Sequence, residues 1–157
     1  MRIMSGIERD RRTTTGGLED EADDRAHATE GGGYLLLLVD DDDDIRLLLG
    51  DILRSVGYET VEAHDGADAL AMLRGGTRPP VAIITDLAMP RLDGWGFIAA
   101  VRAEGRFDAI PIVVVSASAG PPSGVRCLCK PVTRDRLIDA LAELGAPPPP
   151  AGPPASP

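Results

Sequence analysis

The sequence of 157 residues has few cysteines, a deficit of positive charge and no long apolar run. Its two cysteines, Cys127 and Cys129, are too few for a disulfide framework and lack the second pair of ligands of a structural zinc site, so we interpret them as buried thiols. The net charge of −9 argues against direct nucleic-acid binding, which needs a basic face. No run approaches the roughly 20 apolar residues of a membrane-spanning helix, and no signal-peptide pattern begins the chain. We therefore expect a cytoplasmic protein without a membrane or nucleic-acid partner.

The two ends of the sequence have compositions that differ from the middle. Residues 1–33 are rich in Arg, Asp, Glu, Thr and Gly and have few apolar side chains, which predicts a disordered segment. Residues 147–157 consist of Pro, Ala, Gly and Ser, which predicts a flexible tail. Residues 34–146 are enough for one compact domain. We expect a single domain with no second domain after it.

Short apolar runs alternate with helical patterns along this middle part. The predicted strands are Tyr34–Val39, Glu59–Ala63, Val81–Thr85, Ile112–Val115 and Arg126–Cys129. The first, third and fourth are almost continuously apolar, as in parallel strands covered on both faces, whereas the second alternates and suits a place near the edge. This alternation of strands and helices predicts an α/β domain with a mostly parallel sheet.

Four helices are predicted from apolar spacing and end signals. The first has apolar residues at the spacing of one helix face and is followed by a capping glycine; these residues are Ile45, Leu48, Leu49, Ile52, Leu53, Val56 and Gly57. The second helix covers Ala67–Arg74. The third follows Gly94, and its apolar residues are Trp95, Ile98 and Val101. The last follows Thr133 as N-cap, and its apolar residues are Leu137, Ile138, Leu141 and Leu144. Only residues 117–125 separate the last two strands, which is too short for a full crossover helix.

Polar side chains follow four of the five predicted strands. Asp40 and Asp41 follow the first, Asp86 the third, Ser116 the fourth and Lys130 the fifth. Ligands of such sheets bind outside the carboxyl ends of the strands, so we expect these side chains to converge there.

The run of five aspartates, Asp40 to Asp44, divides by position. Asp42 can cap the first helix, and Asp43 and Asp44 fall in its first turn, where negative charge is favourable. Asp40 and Asp41 share the strand edge with Asp86, and three carboxylates there need a cation. Oxygen ligands of this kind suit Mg²⁺.

Five motifs occur in an order that resembles the receiver domain of two-component response regulators. The stretches that carry the resemblance are LLLLVDDDDDIRLLLGDILRSVGYETVEAHDGADAL, IITDLAMPRLDGWGFIAAVR, IPIVVVSAS and CLCKPVT. The resemblance extends from Tyr34 to Leu144 and implies a flavodoxin-like, doubly wound sheet of five parallel strands in the order 2-1-3-4-5. The family's fourth helix would be short or absent.

The resemblance also implies the roles of the clustered side chains. Asp86 would accept a phosphoryl group, and Mg²⁺ would be held by Asp40, Asp41, Asp86 and the backbone carbonyl of Ala88. Ser116 matches the switch hydroxyl and Lys130 the invariant lysine, which precedes a proline in a cis peptide. The implied partner is a sensor histidine kinase or a histidine phosphotransfer protein, and we expect a monomer that is not an enzyme.

Two departures from the family's pattern affect the output face. The segment from Ser116 to Lys130 is shorter than usual, and Cys127 stands where an aromatic switch residue is often found. Two alternatives therefore stay open. One is a degenerate receiver that acts as a protein-binding scaffold without phosphorylation. The other is a haloacid-dehalogenase-like phosphatase, although that family needs an acid two residues after its nucleophile, where this sequence has Ala88.

Overall fold

The computed structural model of the protein describes residues 33–117 and 125–150. The predicted disordered segment, apart from Gly33, and the tail from residue 151 onward lie outside the described residues. So does most of the short connection between the last two strands.

The described residues form five parallel strands in one sheet. These are β1 (Leu35–Val39), β2 (Glu59–Ala63), β3 (Ala82–Thr85), β4 (Ile112–Ser116) and β5 (Arg126–Cys129). Their order across the sheet is β2-β1-β3-β4-β5, so the predicted flavodoxin-like order and the edge position of the second strand are confirmed.

The described residues also contain four helices. They are α1 (Asp43–Ser55), α2 (Gly66–Gly75), α3 (Gly94–Ala103) and α4 (Arg134–Glu143). No helix occurs between β4 and β5 in the part of that connection that the structure describes, which agrees with a shortened crossover. By the resemblance to receiver domains, the last helix, α4, would correspond to the fifth helix of that family.

The sheet is covered by apolar side chains on both faces, as its continuous apolar strands predict. Leu36 and Leu38 of β1 belong to a core with residues of α1 and α4. Leu37 and Val39 point to the opposite face and pack with residues of α2 and α3. Because successive strand residues alternate faces, β1 serves both cores and is buried along most of its length.

Three helices begin at aspartates whose side chains accept backbone N–H hydrogen bonds. These N-caps are Asp42, Asp65 and Asp93, and the predicted cap at Asp42 is confirmed. Thr133 occupies the N-cap position of α4, but its side chain makes no capping hydrogen bond. After α1, Gly57 has a φ of 103°, and the N–H groups of Gly57 and Tyr58 donate to Arg54 and Leu53. This left-handed ending is the one that the glycine predicts.

Some side chains differ from their predicted burial. Leu48, assigned to the apolar face of α1, is 53% exposed, whereas Arg46 on the same helix is buried. Trp95 of α3 is 42% exposed, which is one of the two outcomes that the sequence allows for it, and Phe97 is buried. The thiols are not both buried, because Cys127 is half-buried and Cys129 is exposed. The interpretation of Cys129 as a buried thiol is wrong, since β5 is an edge strand and offers less cover than β1 or β3.

The two ends of the described body lie beside the same turn. A Cβ on Gly33 would be 2.4 Å from the carbonyl oxygen of Gly57, and a Cβ on Gly57 would be 3.0 Å from that of Pro150. The hydroxyl of Tyr58 donates to the carbonyl of Pro147 at 2.8 Å. Contacts with the domain therefore continue past residue 146. They lie at the amino ends of the strands, opposite the predicted site.

Candidate functional site

Strand register brings the predicted site residues to one level. Val39 of β1 pairs with Ala63 of β2 on one side and with Thr85 of β3 on the other. The residues that follow, Asp40 and Asp86, therefore leave the sheet side by side. Ser116 pairs with Cys129, so that Lys130 emerges beside the end of β4.

Asp40, Asp41 and Asp86 form a cluster of carboxylates at this edge. One oxygen from each of the three lies within 4.8 Å of the others. Asp40 is 1% exposed and Asp86 is 7% exposed, while Asp41 is open to solvent. Carboxylates so close repel one another in a partly buried place, so the cluster requires positive charge.

Backbone hydrogen bonds hold the two buried carboxylates in place. The N–H of Asp40 donates to Ala63 at 3.2 Å and that of Asp86 donates to Val39 at 2.9 Å, so sheet-like pairing continues past the strand ends. Oδ1 of Asp40 accepts from the N–H of Asp42 at 2.9 Å. Oδ1 of Asp86 accepts from the N–H of Leu87 at 2.7 Å. One oxygen of each carboxylate is thus fixed by the main chain.

Lys130 supplies a positive charge to the cluster. Its Nζ lies 2.9 Å from Oδ2 of Asp40 and 3.3 Å from Oδ2 of Asp86. Burial by itself lowers the pKa of this ammonium, but the hydrogen bonds and charges of Asp40 and Asp86 outweigh that effect and leave the pKa raised. Lys130 is therefore positively charged at neutral pH. The Lys130–Pro131 peptide is cis.

Ser116 and Ala88 occupy the remaining predicted positions. Ser116 is buried at the end of β4, where its carbonyl accepts from the N–H of Lys130 at 3.0 Å. Ala88 is exposed, two residues after Asp86. The structure brings both to the strand edge, and their roles as switch hydroxyl and carbonyl ligand stay predictions.

The loop between Asp86 and α3 is tightly fixed. A Cβ on Gly94 would lie 2.1 Å from the carbonyl oxygen of Asp86, so only glycine fits without a backbone shift. Arg91 in this loop has a φ of 63°, and its guanidinium binds Asp65 at 2.5 Å and Asp68 at 2.6 Å. These ion pairs fasten the loop to the first turn of α2.

Arg46 contacts the site although its sequence pattern did not identify it. It is 7% exposed and its Nη1 donates to the carbonyl of Asp40 at 2.6 Å. The apolar pattern of α1 selected leucines and isoleucines and passed over a charged residue. The available signal was its spacing, because Arg46 precedes Gly50 and Leu53 by four and seven residues, and all three lie on the buried side of the helix.

The donor set fits a magnesium ion. The cluster offers only oxygen atoms, three of them from carboxylates that converge within one coordination sphere, and Asp41 keeps access to solvent. Mg²⁺ prefers carboxylate oxygens together with retained water. Asp40, Asp41 and Asp86 are the residues that would hold it.

Comparison with known proteins agrees with this geometry. Residues 36–142 match the model of the family described as response regulator receiver domain. The chain belongs to this family. Receiver domains are signalling proteins, and the fold and motif order described above are those of the family.

The receiver domain is similar to curated proteins and to solved structures. It is 38% identical over 97 residues to the chemotaxis protein CheY of Pseudomonas aeruginosa, covering 61% of this chain and 66% of that protein. It is 36% identical over 105 residues to the sensor histidine kinase RcsC of Salmonella typhi, covering 62% of this chain but 11% of that protein. Among structures, chemotaxis protein CheY4 of Vibrio cholerae matches with a TM-score of 0.64 and 29% identity, covering 70% of this chain and 97% of that one.

The matches to sensor kinases concern one part of those proteins. The receiver domain spans 9% to 11% of the length of the three sensor histidine kinases that it resembles.

None of the helices in residues 33–117 and 125–150 is long and apolar enough to cross a membrane.

Proposed function

We propose that the chain is a cytoplasmic response regulator that accepts a phosphoryl group on Asp86 from a sensor histidine kinase or a histidine phosphotransfer protein. The reaction depends on Mg²⁺, and the phosphorylated protein signals by contact with another protein. The observation that carries the proposal is the position of the Asp86 carboxylate, which lies beside those of Asp40 and Asp41 and 3.3 Å from the ammonium of Lys130.

The side chains suit an in-line transfer from phosphohistidine. An oxygen of Asp86 forms a bond to phosphorus while the bond between phosphorus and the donor's imidazole nitrogen breaks. Asp86 accepts a hydrogen bond from the N–H of Leu87, which keeps the carboxylate oriented for attack. Negative charge on the transferred oxygens is stabilised by Lys130, which already lies 3.3 Å from the carboxylate. A magnesium ion held by Asp40, Asp41 and Asp86 would supply further charge neutralisation.

After transfer, the new phosphoryl oxygens become hydrogen-bond acceptors at the end of β3. Ser116 is the hydroxyl of the neighbouring strand β4 that can respond to them. A change in the direction of this hydroxyl is a local event that biases a two-state surface.

The first helix offers a contact surface for the phosphate donor. Leu47 and Leu48 of α1 are 57% and 53% exposed, and α1 begins at Asp43, directly beside the acidic cluster. Apolar side chains that stay exposed next to a reactive carboxylate suit the apolar face of a helix that carries the donor histidine.

The alternatives receive less support. A phosphatase of the haloacid-dehalogenase kind needs an acid where this chain has Ala88, which has no ionisable group. A scaffold without phosphorylation has no need of Lys130 placed between Asp40 and Asp86.

The proposal is tested by phosphorylation of the full chain with acetyl phosphate and Mg²⁺, followed by intact mass measurement. We expect one added phosphoryl group in the wild-type protein and in Asp93→Asn, and none in Asp86→Asn or when EDTA is present. Asp93 is the matched control because it lies in the same loop and asparagine can replace it as the N-cap of α3. Equal incorporation in Asp86→Asn would show that the acceptor is another residue. No incorporation in the wild-type protein would favour the scaffold.

A further inference from the structure

We infer that Arg46 is a positioning residue that orients the metal-binding pair Asp40–Asp41 from behind. Its guanidinium fixes the peptide that joins the two aspartates, and the affinity for Mg²⁺ depends on that contact. The inference rests on the proposed function, because it concerns the same magnesium site.

Each nitrogen group of the guanidinium contacts a different part of the protein. Nη1 donates to the carbonyl of Asp40 at 2.6 Å, Nη2 contacts the carboxylate of Asp43, and Nε lies 3.4 Å from Oε2 of Glu62. The loop after β1, the first turn of α1 and the edge strand β2 are thereby joined through one side chain. The planar guanidinium sets the directions of its donors, so the Asp40 carbonyl cannot rotate without breaking this arrangement.

The burial of Arg46 indicates why the contact is strong. Only 7% of the residue is exposed, and a buried guanidinium is tolerated only where its hydrogen bonds and charge are satisfied. Asp43 and Glu62 provide the opposite charges. Removing the carbonyl contact would leave one of its donors buried without a partner, and this favours the observed geometry.

Asp41 is the ligand whose direction depends most on this peptide. Asp40 is held by its own amide, by the amide of Asp42 and by Lys130. In the part of the chain that the structure describes, the side chain of Asp41 makes no hydrogen bond or ion pair. Its carboxylate is therefore placed in the cluster by the backbone, and Arg46 fixes the carbonyl of the Asp40–Asp41 peptide in that backbone.

A second arginine on the same helix provides a control that distinguishes orientation of the metal ligands from a purely structural role of Arg46. Arg54 also joins α1 to β2, with Nη1 at 3.1 Å from Glu62 and 2.7 Å from the hydroxyl of Thr60. It shares the Glu62 partner with Arg46 but does not contact Asp40. If the tie between α1 and β2 were all that mattered, loss of either arginine would have the same effect on metal binding.

The test compares Mg²⁺ binding by the full-length wild-type chain with that of Arg46→Met, Arg54→Met and Asp41→Ala. Binding is measured by calorimetry and by the fluorescence of Trp95, the one tryptophan of the sequence, and thermal unfolding without metal is recorded for each variant. We expect Arg46→Met to bind Mg²⁺ about 10-fold more weakly or worse, as is typical when a residue behind a metal ligand is lost. Arg54→Met should bind as the wild type does.

The charge of Arg46 alone predicts the opposite change in Mg²⁺ affinity. Removal of a positive side chain near a cation site should strengthen cation binding. Unchanged or tighter binding by Arg46→Met, or equal losses in the two methionine variants, would therefore overturn the inference. If Arg46→Met does not fold, the Arg46→Lys and Arg54→Lys pair gives the answer. One ammonium cannot replace the three separate contacts of the guanidinium, so weaker Mg²⁺ binding is expected only in Arg46→Lys. Equal Mg²⁺ affinities of the two lysine variants would count against the inference.

Failure of the inference is distinct from failure of the proposed function. A wild-type protein that does not bind Mg²⁺, or an Asp41→Ala variant that binds it equally well, contradicts the proposed metal site. A site that loses affinity in Asp41→Ala but not in Arg46→Met contradicts only the role of Arg46.

Discussion

Five consecutive aspartates, Asp40 to Asp44, have different surroundings although their side chains are chemically identical. Asp40 is buried against Lys130, and Asp42 accepts two backbone hydrogen bonds at the start of α1. Asp43 pairs with Arg46, which lowers the pKa of its carboxyl through that hydrogen bond and through the charge of the guanidinium. The position of each residue relative to the end of β1 decides its role.

This division predicts different results at Asp41 and Asp44. Asp41→Ala should weaken Mg²⁺ binding strongly, because it removes one of three ligand carboxylates. Asp44→Ala should leave Mg²⁺ affinity unchanged and lower stability by about 0.3–1 kcal/mol through the helix dipole. Magnesium titrations and urea unfolding measure the two effects. Similar affinities in the two variants would contradict the division of the aspartate run.

Asp65 gives a pH-dependent prediction away from the metal site. The hydrogen bond from Arg91 lowers the pKa of this buried carboxyl, more than burial raises it. A depressed folded-state pKa stabilises the protein above the unfolded value of 3.8, and this stabilisation is lost as the pH falls from there through the folded-state pKa. Asp65→Asn keeps a side chain that can cap α2 but removes the charge.

We expect Asp65→Asn to be less stable than the wild type at pH 7, by about 1 kcal/mol. The difference should shrink below pH 3.8. Urea unfolding from pH 7 to pH 3 measures it, with the exposed Asp139→Asn on α4 as a control that should follow the wild type. A difference that stays constant over this range would show that the charge of Asp65 is not responsible.

Among the helices, strands and their connections, some features could be predicted from the sequence and others could not. The five strands and the caps at Asp42 and Gly57 could be predicted, because apolar periodicity and capping chemistry are local properties. The strand order is not local, and it was implied by the resemblance to receiver domains. The convergence of Asp40, Asp86 and Lys130 could be predicted from the rule that parallel strands place their carboxyl ends at one edge.

Other features depend on contacts that are distant in the sequence. The burial of Arg46 depends on Glu62 of β2 and on a backbone carbonyl, neither of which changes the local pattern. The left-handed conformation of Arg91 depends on Asp65 and Asp68 of another helix. The exposure of Leu48 follows from the rotation of α1, which buries Arg46 and Leu49 instead. Such choices are made by tertiary packing.

Gly94 provides a test of the connection between β3 and α3, with Gly75 of α2 as a control. Gly94→Ala would place a methyl group 2.1 Å from the carbonyl oxygen of Asp86, so we expect a loss of about 1–3 kcal/mol in unfolding free energy from overpacking. Gly75→Ala, at the end of α2, meets no atom within 4 Å and should be stabilising by about 0.4–1 kcal/mol. Urea unfolding measures the free energy of unfolding of both variants. A neutral Gly94→Ala would mean that the loop after Asp86 is more adaptable than its contacts indicate.

For the molecule as a whole, the short connection between β4 and β5 bears on the output face that the resemblance implies. Nine residues with two prolines, 117–125, replace the usual crossover with its helix. We therefore predict that the phosphate mimic beryllofluoride leaves the protein monomeric, since the dimer surface that the family builds from its fourth helix, fifth strand and fifth helix is incomplete. Light scattering with and without the mimic measures this. A shift to a dimer that is abolished by changing Arg134 or Arg136 of α4 would show that the face is still functional.

The two ends of the described domain lie beside Gly57, which has a practical consequence for such measurements. Gly33 and Pro150 both lie near this turn, at the amino ends of the strands. A strand of five residues separates that edge from the carboxyl edge by about 16 Å. A surface tether or a fluorescent label attached at either end of the described domain is therefore held on the side away from Asp86. The domain can be tethered near residues 33 and 150 at once and still leave the Asp86 carboxylate, the proposed acceptor, open to a partner in solution.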